Sequence, residues 1–121
     1  MRMKKVLIVD DDESPRQFLV MLTKHYNCEH TEANDGHEAL SIIDRGIIFD
    51  IVITDLEMPR MDGLELIKQI RSRNIQSKII MSTGKAHLIT QDDIKKYNID
   101  IVFKKPHFDI EIFKNMVGNN G

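Results

Sequence analysis

The chain has 121 residues, 30% of them charged, and 17 Lys and Arg stand against 19 Asp and Glu for a formal net charge of -2. That length suits one domain with a real core, and the near balance of charge gives no basis for a nucleic-acid surface. The single cysteine, Cys28, excludes an internal disulfide and fits a reducing compartment. No run is apolar enough to span a membrane, and the four apolar residues after Met1-Arg2-Met3-Lys4-Lys5 are too few for a signal-peptide core. A cytoplasmic domain is the expectation.

The first strand is expected at about Lys5 to Val9, where Val6-Leu7-Ile8-Val9 stops at Asp10-Asp11-Asp12. Ser14-Pro15 reads as an N-cap followed by proline at the first helical position, and Phe18, Leu19, Leu22 and Tyr26 give that helix one apolar face. Asn27-Cys28 ends it, and a short second strand lies near His30 to Ala33. Asn34-Asp35-Gly36 marks a turn into a second helix carrying Ala39, Leu40 and Ile43. The third strand, Asp50 to Thr54, stops at Asp55. A loop with Pro59 and Asp62-Gly63 then leads to a third helix with Leu64, Leu66, Ile67 and Ile70 apolar. Ile79-Ile80-Met81-Ser82 is the fourth strand, and a polar helix runs from about Thr90 to Tyr97 with Asn98 as a left-handed cap. Ile101-Val102-Phe103 is the fifth strand, followed by Lys105-Pro106 and a short helix with Ile110, Phe113 and Val117. Strands alternating with helices require a parallel sheet with right-handed crossovers. The expectation is one domain over 1–121, with an ordered core of about 3–117 and a fraying tail at 118–121.

Apolar runs bounded by polar residues are typical of strands buried on both faces, and parallel neighbours bring their carboxyl ends to one rim, where open α/β sheets place ligands. Asp10, Asp11 and Asp55 therefore converge. Like charges gathered at one point are costly unless a cation neutralises them. Mg²⁺ suits hard oxygen donors and commonly bridges carboxylate to phosphate. Lys105 and Thr83 end at the same rim, so a carboxylate nucleophile, an ammonium, a hydroxyl and a metal would meet there, as phosphoryl transfer requires. Asp12 and Glu13 have a plainer use at a helix start, where the macrodipole favours acidic groups. The five histidines lack paired ligand spacing and read as surface residues. The seven methionines form no stripe and read as core filler, and Gln91-Asp92-Asp93 with Lys95-Lys96 reads as a solvated face.

Taken together, Val6-Leu7-Ile8-Val9-Asp10-Asp11-Asp12, Asp50 to Pro59 with Met61-Asp62-Gly63, Ser82-Thr83-Gly84 and Lys105-Pro106 strongly resemble the receiver domain of two-component response regulators over essentially the whole chain. The resemblance implies a flavodoxin-like doubly wound fold with strand order 2-1-3-4-5. It implies that Asp55 accepts a phosphoryl group from a histidine kinase or phosphotransfer protein, and that Asp10, Asp11, Asp55 and the backbone carbonyl of Glu57 hold Mg²⁺. It further implies that Thr83 bonds the phosphoryl group, that Lys105 pairs with it, and that the Lys105-Pro106 bond is cis. Such a protein is a switch that catalyses only its own phosphorylation and dephosphorylation, and it controls a downstream effector or relays the group. Phosphorylation-dependent homodimerisation through the last two helices is left open.

Several residues depart from the family pattern. Where the family carries an aromatic residue three positions before the lysine, this chain has Val102, and Phe103 beside it faces the other way by alternation. The switch formed by Thr83 and Val102 thus lacks its ring, and output is expected to run through loops and the fourth helix. Lys104 precedes Lys105 but should turn away. Glu57 and Lys85, two residues beyond Asp55 and Thr83, are expected to form an ion pair that slows hydrolysis of the acyl phosphate. The last helix is brief, so no output domain is expected to follow. Two other readings compete. Asp10-x-Asp12-x-Ser14 matches the nucleophile motif of haloacid-dehalogenase-type phosphatases, which would label Asp10 and need a second acidic pair. A receiver that is never phosphorylated would act as a constitutive adaptor.

Overall fold

The computed structural model describes residues 2–118. In chain order the elements are β1 (Lys5–Val9), α1 (Glu13–His25), β2 (Glu29–Ala33), α2 (Gly36–Asp44), β3 (Ile51–Thr54), α3 (Gly63–Ser72), β4 (Lys78–Thr83), a 3-10 turn (Ala86–Leu88), α4 (Gln91–Lys96), β5 (Ile101–Lys104) and α5 (Ile110–Val117). The five strands are all parallel in the order β2-β1-β3-β4-β5. The expected fold class, strand order and five helices are therefore present. Of the expected fraying tail, Gly118 closes α5 with φ 78°, and 119–121 lie outside the described residues.

Strand alternation divides the core in two. Leu7, Val9, Val52, Ile79 and Met81 face α2 and α3, packing on Leu40, Ile43, Leu66, Ile67 and Ile70. Val6, Ile8, Ile51, Ile53 and Ile80 face α1 and α5, packing on Leu19, Leu22, Phe113 and Val117. Both sheet faces are thus dry, as the continuous apolar strand sequences require.

Helix ends follow side-chain chemistry. Asp35, Asp62, Thr90 and Asp109 each accept a main-chain N–H at the start of α2 to α5. The start of α1 corrects the sequence reading. Asp12, not Ser14, is the N-cap, its carboxylate accepting the Ser14 N–H, and Pro15 lies within the first turn, where a missing N–H costs nothing. Asn27, Asn74 and Asn98, at φ 59°, 58° and 53°, turn the chain out of α1, α3 and α4, as read for Asn98. Methionine use is more varied than core filling: Met58 and Met81 are buried, whereas Met3 and Met21 are exposed. Arg71 was not singled out from sequence. Its guanidinium donates to the carbonyls of Ile75, Ser77, Tyr97 and Asn98, tying the end of α3 to the end of α4.

Candidate functional site

The carboxyl ends of β1 and β3 are neighbours, with Val9 in register with Thr54, so Asp10 and Asp55 leave the sheet side by side. One carboxylate oxygen from each of Asp10, Asp11 and Asp55 lies within 4.8 Å of the others, and Asp12 is outside the group. Lys105 follows β5 and reaches back across the rim. Its Nζ donates to Asp10 Oδ2 at 2.8 Å and to Asp55 Oδ2 at 2.9 Å. The other Asp55 oxygen accepts the Leu56 N–H at 2.6 Å and the Glu57 N–H at 3.3 Å. Asp10 Oδ1 accepts the Asp12 N–H at 2.9 Å.

The electrostatics are unbalanced. Three carboxylates share one ammonium, leaving two uncompensated negative charges in a group whose Asp10 is only 2% exposed. Burial pushes the Asp10 carboxyl above its ordinary pKa, outweighing the bond from Lys105, and the Asp55 charge adds to the rise. For Lys105, burial alone would lower the pKa, but its bonds to Asp10 and Asp55 outweigh burial and raise it. Two partners raised together are consistent: the ammonium is well matched to its site, while Asp10 remains under-compensated. Hard oxygen donors, close spacing and a deficit of two positive charges fit Mg²⁺.

The surrounding loops hold this geometry. Gly63 opens α3 against the Asp55 main chain, where any Cβ would run into the Asp55 carbonyl oxygen, and its N–H bonds the Leu56 carbonyl at 2.7 Å. Arg60, at φ 68°, pairs with Asp35 at 2.7 Å and anchors the loop between β3 and α3 to the start of α2. Thr83 ends β4, fully buried; its carbonyl accepts the Lys105 N–H at 2.9 Å and its Oγ1 accepts the Lys85 N–H at 3.1 Å. The Lys105-Pro106 bond is cis. Beside the acidic group opens a cleft of about 580 Å³ lined by Asp11, Glu57, Met58, Asp62, Leu88 and Ile89 among others. A second cleft, of about 520 Å³, lies at the opposite edge of the sheet among Ile43, Ile47, Phe49, Ile75 and Met116, remote from the carboxylates.

The remaining sequence-derived residues fall as follows. Val102 packs with the α2–α3 side of the core and Phe103 with the α1–α5 side, its ring 4.6 Å from Phe108, so the two do face opposite ways. Lys104 is exposed. The side chains of Glu57 and Lys85 are both exposed, and the expected ion pair between them is not among those of the described residues. Two flexible side chains in water gain little from pairing, which explains its absence. Arg16, whose Nη1 donates to the Asp10 carbonyl at 2.8 Å, escaped sequence reading because nothing in a helical pattern signals a bond to a strand end. No helix among the described residues is long and apolar enough to cross a membrane.

Comparison with known proteins agrees with this geometry. The profile of the response regulator receiver domain matches residues 6–117. The Escherichia coli K12 regulator of RpoS is 29% identical over 114 residues, covering 94% of this chain and 34% of its own length. The Klebsiella oxytoca transcriptional regulatory protein ZraR is 31% identical over 105 residues, covering 86% of this chain and 24% of its own. The chain thus spans about a third or less of these curated relatives. Among solved structures, Vibrio cholerae chemotaxis protein CheY4 superposes with a TM-score of 0.80 at 32% identity, covering 93% of each chain. Thermotoga maritima response regulator TrrA, solved in complex with Mg(2+)-BeF, does so with a TM-score of 0.79 at 33% identity, covering 95% of this chain and 96% of its own. The chain belongs to the response regulator receiver domain family, the phosphoryl-accepting switch domains of two-component signalling.

Proposed function

We propose that Asp55 is the phosphoryl acceptor of this receiver domain and that Asp10, Asp11, Asp55 and the Glu57 carbonyl hold Mg²⁺. The observation that carries this reading is the Lys105 ammonium bridging Asp10 and Asp55 beside a third carboxylate, Asp11. The complex of the Thermotoga maritima neighbour with Mg(2+)-BeF supports the same chemistry here. A carboxylate oxygen of Asp55 attacks phosphorus of a phosphohistidine; the new O–P bond forms as the P–N bond breaks, and the imidazole takes the electron pair. Asp10, Asp11, Asp55 and the Glu57 carbonyl would hold the Mg²⁺, which when bound would offset the negative charge of the carboxylates and of the incoming phosphoryl group. Lys105 transfers its bond from Asp55 Oδ2 to an incoming phosphoryl oxygen, and the Thr83 hydroxyl donates to another. Leu56 N–H and Glu57 N–H keep the second Asp55 oxygen oriented.

Phosphorylation adds about -1.5 to -2 of charge at this rim. The 3-10 turn and α4 are the elements poised to respond, since α4 buries none of its residues and Leu88 beside it is exposed. With Val102 in place of an aromatic residue, the response runs through the loop after Thr83 and through α4 rather than through ring rotation. Glu57 and Lys85 flank the acceptor and set the lifetime of the acyl phosphate. The donor is a histidine kinase or phosphotransfer protein. The readout is an effector protein or onward transfer, with phosphorylation-dependent homodimerisation a further mode, and residues 1–121 act as one domain in the cytoplasm.

A small phosphodonor such as phosphoramidate with Mg²⁺ tests the acceptor. Intact mass should rise by one phosphoryl group, mapped to Asp55 and absent in Asp55→Asn. A label on Asp10 would instead support the phosphatase reading.

A further inference from the structure

We propose that Arg16 is a positioning residue for the metal-binding carboxylates, acting through the peptide bond that joins Asp10 to Asp11; this rests on the proposed Mg²⁺ site. Arg16 lies in the first turns of α1, its side chain only 14% exposed. Its Nη1 donates to the Asp10 carbonyl at 2.8 Å, and its Nε donates to Glu32 Oε1 at 3.0 Å. Gln17 Nε2 donates to that same Glu32 oxygen at 3.3 Å. Glu32 sits on β2 next to Ala33, whose carbonyl accepts the Asp10 N–H at 3.2 Å. One guanidinium thus joins β1, α1 and β2 at the point where the acidic pair leaves the sheet.

The Asp10 carbonyl lies just past the end of β1 in a buried residue and needs a donor. A charged donor gives a stronger and more directional bond than water. Because the peptide unit is planar, holding that carbonyl also fixes the direction in which Asp11 departs. This matters because Asp10, Asp11 and Asp55 repel one another, while a shared cation needs one oxygen of each to stay close to the others, as they do here within 4.8 Å. Without the pin, rotation of the 10–11 peptide would let the exposed Asp11 carboxylate swing away from Asp10 and Asp55. Glu32 holds the guanidinium in plane, and the rigid fork of arginine serves both contacts at once where a lysine ammonium on its flexible stem serves one.

Two plainer roles make opposite or null predictions. If Arg16 mattered only as a positive charge near the site, removing it would tighten Mg²⁺ binding. If it were only a staple between α1 and β2, Arg16→Met would lower thermal stability and leave Mg²⁺ affinity unchanged. Positioning makes Arg16→Met bind Mg²⁺ about tenfold more weakly, the lower end of what outer-shell partners contribute. Arg16→Lys, with charge retained, should fall between, a few-fold weaker.

The experiment titrates MgCl₂ into the full chain, wild type and both variants, following amide shifts of Asp11 and Asp55 by NMR, with dispersed spectra as the folding check. Weaker binding in folded Arg16→Met with partial rescue in Arg16→Lys is expected. Unchanged or tighter binding in either folded variant overturns the proposal, and Arg16→Lys decides it should Arg16→Met fail to fold. Wild type that binds no Mg²⁺ would defeat the proposed metal site itself, a result distinct from variants that match a wild type that binds.

Discussion

Strand β3 carries an aspartate at each end, and the two ends are built on opposite principles. Asp50, just before β3, accepts Arg2 Nη1 and Nη2 at 3.0 and 2.9 Å and the Lys5 N–H at 2.8 Å. Arg2 first of all, with the Lys5 N–H, holds its carboxyl down at about 2. Asp55, just after β3, shares one ammonium with Asp10, and burial drives Asp10 the other way. One edge is neutralised by the chain itself and the other is left short of positive charge. The first arrangement serves stability. Under the proposed function a cation and an anion from outside complete the second, and it persists because the surrounding fold over-determines it.

The most severe way to break the functional edge is through its backbone. Gly63→Ala sets a methyl group against the Asp55 carbonyl and should destabilise the protein by about 3 kcal/mol or more in urea unfolding. A wild-type-like midpoint would show that the α3 start is looser than the close packing implies.

The contrast between the edges is sharpened by one substitution made twice. Without Mg²⁺ at neutral pH, Asp10→Asn removes an under-compensated buried charge and should stabilise by up to about 1–2 kcal/mol. Asp50→Asn should destabilise by about 1 kcal/mol, discounted because Arg2 is largely exposed. In saturating Mg²⁺ the order of wild type and Asp10→Asn should reverse, since only wild type gains about 2.7 kcal/mol at a hundredfold excess over Kd. Equal signs at the two positions would erase the distinction.

The edges should also titrate apart. Asp50 is depressed, so its stabilisation is present above the unfolded value of 3.8 and lost as pH falls toward about 2. Asp10 is raised, so its contribution is present below 3.8 and lost as pH rises through its higher folded value. Carboxyl-carbon NMR should show Asp50 titrating well below Asp10, and Arg2→Ala should move Asp50 upward while Asp10 stays in place. The smallest effects belong to the exposed flank: Glu57→Ala or Lys85→Ala should change the dephosphorylation rate a few-fold, and an unchanged rate would remove both from the tuning role.

Much of this was readable in the chain. Apolar runs ending in aspartate gave β1 and β3, and neighbouring parallel strands then forced Asp10 and Asp55 together. What escaped depends on contacts no local pattern records. Asp12 displaced Ser14 as the cap of α1 because its carboxylate reaches the Ser14 N–H, a choice decided by backbone geometry. The 3-10 turn at Ala86–Leu88 has no apolar period to reveal it. Arg16 and Arg71 donate to carbonyls brought close only by folding. The expected Glu57–Lys85 pair shows the converse: sequence proximity to Asp55 and Thr83 does not create an ion pair between exposed side chains.

The most direct measurement of the central claim is binding of beryllofluoride, a phosphoryl mimic, to wild type and Asp55→Asn with and without Mg²⁺. Saturable binding to wild type that requires Mg²⁺ and vanishes in Asp55→Asn is the expected result. Wild type that binds no beryllofluoride in Mg²⁺, or Asp55→Asn that binds it as wild type does, would contradict the assignment of Asp55 as the acceptor.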